Sequence, residues 1–133
     1  MSDICITEKL TPAVCRKKLE NGINKQEYTA VVKTVAGMPE KDFAVIAGVS
    51  QRTLSRLKPT QNVPPQTAEV TLSVLRIYQK ACEIFGNEEL AQKWIRRPNS
   101  ALAGRTPVEA VKTRFGAEEV LDVLTRIEYG IYA

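Results

Sequence analysis

The sequence predicts an all-α protein, arranged as an N-terminal helix-turn-helix subdomain followed by a second helical subdomain. Three observations predict it. Apolar residues recur at steps of three and four along most of the chain, the spacing of one helix face. No stretch alternates apolar and polar residues convincingly over six positions, so essentially no sheet is expected. Helix starts and stops punctuate the periodic runs, among them Thr11-Pro12, Gly22, Gly37, Gly48, Gly86 and Thr106-Pro107. At 133 residues the chain can bury a modest core in one domain or two small ones. Pro59, Pro64 and Pro65 mark a linker that sets the expected boundary between residues 1–62 and 63–133.

The elements follow in order. Thr11 reads as the N-cap of a first helix, Pro12 as its first residue and Gly22 as the residue past its end. Residues 25–37, KQEYTAVVKTVAG, put Tyr28, Val31, Val32 and Val35 on one face before Gly37 and Pro39 stop them. Residues 40–59, EKDFAVIAGVSQRTLSRLKP, hold two short helices about Gly48. Phe43, Ala44 and Ala47 face inward from the first, Val49 fills the turn, and Leu54 and Leu57 anchor the second. Gly48 can take the left-handed conformation that a sharp helix junction needs, and Ser50 suits the next N-cap. A long helix over about residues 66–85 carries Val70, Val74, Ile77, Tyr78, Ala81 and Phe85 in one stripe, widened by Leu72, Leu75 and Cys82. An apolar arc that broad belongs at the centre of a core or in a dimer interface. Asn87 caps EELAQKWI. Thr106 and Glu109 form a capping box for a further helix, which Gly116 is expected to end. The last helix, AEEVLDVLTRIEY, aligns Val120, Leu124, Ile127 and Ile131.

The pair of helices about Gly48 is the part with chemistry. It leaves Ser50, Gln51, Arg52, Thr53, Ser55, Arg56 and Lys58 as candidate DNA-contacting residues, a set of donors that fits guanine edges or phosphates in a major groove. The alternative is an ordinary helical hairpin with a solvated basic face. Charge favours the first reading. The chain is formally +4, and residues 1–60 carry ten Lys/Arg against six Asp/Glu while residues 61–133 carry nine of each. The positive excess therefore lies where a polyanion would bind.

Other functions are disfavoured by what the chain lacks. There is no histidine, which removes imidazole bases and His-liganded zinc. Cys5, Cys15 and Cys82 are scattered and form no CxxC pair. Glu88-Glu89 and Glu118-Glu119 are adjacent first-turn residues pointing in different directions, and no Gly-rich phosphate loop occurs. No enzyme, cofactor or metal site is expected. No apolar run approaches the ~18 residues of a membrane span and MSDICITEKL lacks a signal-peptide pattern, so a cytoplasmic location is expected.

From about residue 81 onward the chain reads ACEIFGNEELAQKWIRRPNSALAGRTPVEAVKTRFGAEEVLDVLTRIEYGIYA. Phe85-Gly86, Ala91, Trp94, Pro98-Asn99, Leu102, Gly104, Thr106-Pro107, Glu109, Gly116, Val120 and Leu124, with the closing Arg126 to Ala133, resemble in order and spacing the toxin-binding domain of the Xre/MbcA/ParS antitoxins of type II toxin–antitoxin systems. The RTLSRLKP segment and the helices before it resemble the N-terminal domain of the Xre-type members. The resemblance implies an antitoxin that occludes the active site of a RES-domain toxin acting on NAD, largely through its C-terminal region. It further implies that the helix-turn-helix sits on the operon's own promoter. The expected partners are thus a RES-domain toxin, operator DNA and a second copy of the chain within a larger complex.

The residues of that region admit plainer readings. Trp94 alone suits a core, and Arg96-Arg97 before Pro98 suit either a solvated helix end or a partner contact. Glu128, Tyr129, Ile131 and Tyr132, ahead of Ala133, are large residues near a terminus that normally frays. Residues 117–133 also carry four acids and one base, which fits a basic partner site. Trp94, Arg96, Arg97, Glu128, Tyr129, Ile131, Tyr132 and Ala133 are therefore the candidate toxin-binding residues. The competing function is a stand-alone repressor whose C-terminal half only dimerises.

Overall fold

In a computed structural model, the described residues are 8–130. They form α1 (Pro12–Asn21), α2 (Lys25–Val31), a π-helical turn (Val32–Ala36), α3 (Glu40–Ala47), α4 (Gln51–Arg56), α5 (Pro65–Phe85), α6 (Glu88–Ile95), a 3₁₀ turn (Ser100–Leu102), α7 (Pro107–Ala110) and α8 (Arg114–Glu128). The protein is all-α. The only extended pairing among the described residues is an isolated antiparallel bridge between Asn24 and Asn62.

Helix α5 is the axle. Thr67, Ala68, Val70, Thr71, Leu72, Val74, Leu75, Ile77, Tyr78 and Ala81 are all buried along it, covering more than one side of the helix. It packs against α1, α2, α3, α6 and α8, so its broad apolar arc is used within one chain. One continuous core runs from Leu10 to Leu124. Two threonines satisfy their hydroxyls along this helix: Thr67 Oγ1 donates to Ala47 O at 3.2 Å and Thr71 Oγ1 to Thr67 O at 2.7 Å. The first of these ties the start of α5 to the end of α3.

The proline-rich segment before α5 is pinned rather than loose. The N-terminal amides of a helix lack intrahelical partners. In α2 this segment supplies them: Lys25 N donates to Gln61 O at 2.8 Å and Gln26 N to Pro59 O at 3.0 Å. The Asn24 side chain and Glu27 complete a capping box at the same end. Val63 N in turn donates to Ile23 O at 2.9 Å.

Two features depart from the expected elements. The run after α2 widens into a π turn, in which Gly37 N donates to Val32 O at 2.8 Å and Val32, Val35 and Ala36 are all buried. Gly116 does not end a helix. Helix α7 stops at Ala110, Thr113 caps α8, and Gly116 lies in the first turn of α8, where a Cβ would run into the Ala110 carbonyl oxygen. Glycine serves here as a close-packing residue, which a sequence pattern cannot tell from a breaker. No helix among the described residues is long and apolar enough to cross a membrane.

Candidate functional site

Two surfaces carry the candidate residues. The first is built by α3 and α4. Gly48 adopts φ 71°, ψ 35° at the junction. Ser50 Oγ accepts from Thr53 N at 3.0 Å and donates to Thr53 Oγ1 at 2.9 Å, fixing the start of α4. Leu54 is buried beneath the helix, as are Phe43, Ala44 and Ala47 of α3. The far end of α4 is closed by Lys25 Nζ, which donates to Leu57 O at 3.3 Å. Gln51, Arg52, Thr53, Ser55, Arg56 and Lys58 are all exposed. Arg52, Arg56 and Lys58 make no ion pair among the described residues, so three cations stand free, Arg52 and Arg56 on α4 and Lys58 just past its end. The Ser55 hydroxyl is turned back onto Arg52 O at 3.0 Å.

The second surface surrounds the last turns of α5. Trp94 is only partly buried, its ring 6.2 Å from that of Phe85 at a tilt of 47°. Arg97 is exposed. Glu128, at the end of α8, lies 3.6 Å from Lys80 in a solvent-facing pair of the kind that contributes little to stability. Tyr129 follows and is 73% exposed. Ile131, Tyr132 and Ala133 lie outside the described residues. Lys80 and Phe85 are five residues apart on α5, about 7.5 Å of helix rise and about 140° around the helix, so the aromatic pair and the acidic end leave the same stretch in different directions.

Arg96 is placed differently from its neighbours. Its Nε donates to Val35 O at 3.2 Å, and its Nη2 to Val35 O at 3.2 Å and Thr34 O at 3.3 Å. Gln92 Nε2 adds a bond to Thr34 O at 2.9 Å. The guanidinium lies over Gly37, leaving no room for a Cβ there. Neither sequence reading of this arginine included that contact, a clamp onto the N-terminal half. Residue pairs so far apart in sequence carry no local signal, which is why Gln92 and Gly37 were missed.

Reactive chemistry is sparse. Burial raises the Cys15 thiol above its ordinary 9.0, against the lowering effect of Arg76 and Lys18. Burial also raises Cys82, countered by a hydrogen bond from Tyr78 and aided by Glu88 and Glu83. Neither is a ready nucleophile. No group of His, Cys, Asp or Glu among the described residues could hold a metal ion. A groove of about 560 Å³ beside α5 interleaves Glu69 and Glu118 with Arg76, Lys112 and Arg114, leaving no single-sign field.

Residues 80–130, from the last part of α5 to the end of α8, match the family described as antitoxin Xre/MbcA/ParS C-terminal toxin-binding domain. The match places an Xre-type antitoxin toxin-binding domain in residues 80–130 of this chain. It is similar to an antitoxin Xre of Yersinia enterocolitica, with 27% identity over 100 residues covering 74% of this chain and 68% of that one. An antitoxin Xre of Photorhabdus laumondii is 29% identical over 92 residues, covering 68% of this chain and 62% of that one. The second surface of the antitoxin thus falls inside the toxin-binding domain, and the first lies outside it.

Proposed function

We propose that this antitoxin blocks the active site of a RES-type, NAD-consuming toxin with the C-terminal end of α8, and represses its own operon through α3 and α4. The observation that carries the first half is the exposed pair Glu128 and Tyr129 at the end of the toxin-binding domain. A large tyrosine left in solvent is unused by the fold, and tyrosine is favoured in buried interface pockets. Acidic character suits a toxin site that holds the phosphates of NAD. For the second half, the unpaired Arg52 and Arg56 on a capped helix, with Lys58 just past its end, support operator binding by a homodimer, whose half-sites lie about a helical turn apart.

The test is growth and intracellular NAD in cells making the toxin, with the full-length antitoxin or a form lacking residues 128–133. Full-length chain restores both. The truncated form restores neither, yet still shifts operator DNA. A truncated form that protects the cells overturns the plug. If the partner gene is harmless and the chain alone represses, the stand-alone repressor reading replaces this one.

A further inference from the structure

Helix α6 lies within the toxin-binding domain, yet its last turn is bonded to the segment that sets the position of α3. Arg96 reaches Thr34 O and Val35 O with Nε and Nη2, one edge of its guanidinium, and Gln92 reaches Thr34 O. These carbonyls lie within the π turn, and charge-assisted bonds to them are stronger than neutral ones. Only Gly37, Met38 and Pro39 separate that turn from α3. Gly37 is held at φ 62°, Pro39 has a ring-fixed φ, and Asp42 N and Phe43 N both donate to Pro39 O. A connection so short and stiff passes a displacement of the π turn on to α3, and through Gly48 to α4.

The π register is one of two that a helix end of this length can take. At present Gly37 N donates to Val32 O, five residues back. An α-helical register would move that bond to Lys33 O and rotate everything beyond it. Discrete alternatives of this kind, rather than gradual bending, are what couple distant sites.

We infer that Arg96 is the positioning residue through which toxin binding is felt by α3 and α4. Toxin docked beside it, on Trp94 and Arg97, holds α6 in place, keeps the clamp closed and fixes the π register that presents α4 to the operator. The inference rests on the two-surface function proposed above.

The experiment measures operator Kd for the antitoxin alone and saturated with toxin, in the wild type, Arg96→Ala, Arg96→Lys and Gly37→Ala. In the wild type, toxin is expected to tighten operator binding about fivefold or more, the usual scale of coupling between sites. In Arg96→Ala the two values converge. Arg96→Lys, which keeps the charge but not the fork, recovers part of the ratio. Gly37→Ala puts a Cβ where the guanidinium lies and strains the left-handed turn beneath it, so it disturbs the clamp from the other side and reproduces the loss. A clamp that serves stability alone lowers Tm in these variants with the ratio intact, and that result overturns the inference. So does a wild-type ratio of one with tight operator binding in both states, or a loss of toxin affinity in Arg96→Ala, which makes Arg96 a toxin contact. An antitoxin that binds no operator in either state overturns the inference together with the operator reading beneath it.

Discussion

Helix α4 and the end of α8 present opposite charges on opposite kinds of support. Helix α4 is only six residues long, too short to persist alone in water. It is held by a buried Leu54, a Ser50 cap, a left-handed Gly48 and the Lys25 ammonium on its last carbonyl. Its cations project from a fixed frame, as a surface that reads the rigid grooves of DNA requires. The end of α8 has Leu124 buried and Ile127 partly covered, and beyond them, among the described residues, two backbone hydrogen bonds and an exposed ion pair from Glu128 to Lys80. Among the described residues, the Tyr129 side chain is left largely in solvent. A surface that fits into another protein's pocket can leave its ordering to the partner, at some cost in binding free energy.

That contrast can be broken by mutation. The largest effect is expected from Leu54→Ala, which empties the site under α4 and lowers stability by about 2–5 kcal/mol. Tm and operator binding should both fall in this variant at a temperature where it still neutralises toxin. Parallel loss of neutralisation would mean that the two surfaces do not have separate supports. Tyr129→Ala is the mirror experiment. It should weaken toxin binding by about 2 kcal/mol or more, the scale of an interface anchor. Tm should move little, and a clear drop would show that Tyr129 packs on its own fold. Arg52→Ala and Arg56→Ala should each weaken operator binding by about 1–3 kcal/mol where the contact is to a base. Gel-shift titrations check this, with toxin affinity unchanged as the control. Unaltered operator Kd would move the groove contacts off α4.

The smallest effect concerns the core between the two surfaces. Tyr28 is fully buried beside Phe43, with ring centroids 5.7 Å apart, and its hydroxyl has no hydrogen-bond partner among the described residues. Burial, and then the Glu40 carboxylate, push its pKa well above the ordinary 10.0. Cys15 and Cys82 are raised above 9.0 as well. The folded chain therefore keeps protons that the unfolded chain releases in alkaline solution. Stability is fully present below about pH 9 and declines as pH rises past the unfolded values. Tyr28→Phe should be neutral to stabilising by up to about 1 kcal/mol, because it removes an unsatisfied polar group. It should also flatten the alkaline decline, compared by urea midpoints at neutral pH and at about pH 10. A marked loss of stability would mean that the hydroxyl has a partner.

Much of this molecule was legible in the sequence because it is local. The caps at Thr11, Ser50, Asn87 and Thr106, the left-handed Gly48 and the inward faces of α2, α3 and α5 each follow from residues within one or two turns. The outward donors of α4 follow from the same helical phase, and the family from order and spacing after residue 80. Partnerships between distant segments were not legible. The clamp from Arg96 and Gln92 to the π turn spans about sixty positions, and the docking of residues 59–63 on α2 depends on how the chain doubles back. Phe115, 76% exposed, stood next to a glycine taken for a helix end. Once α8 begins at Arg114, it shares the solvent face of Glu119, Asp122 and Arg126. Sequence by itself determined which segments are helices and which sides of them are apolar, since those depend on backbone caps and periodicity. Tertiary structure alone decided that Gly116 is a contact and Arg96 a clamp, because a side chain's partner is set by what the fold brings within hydrogen-bond or van der Waals reach.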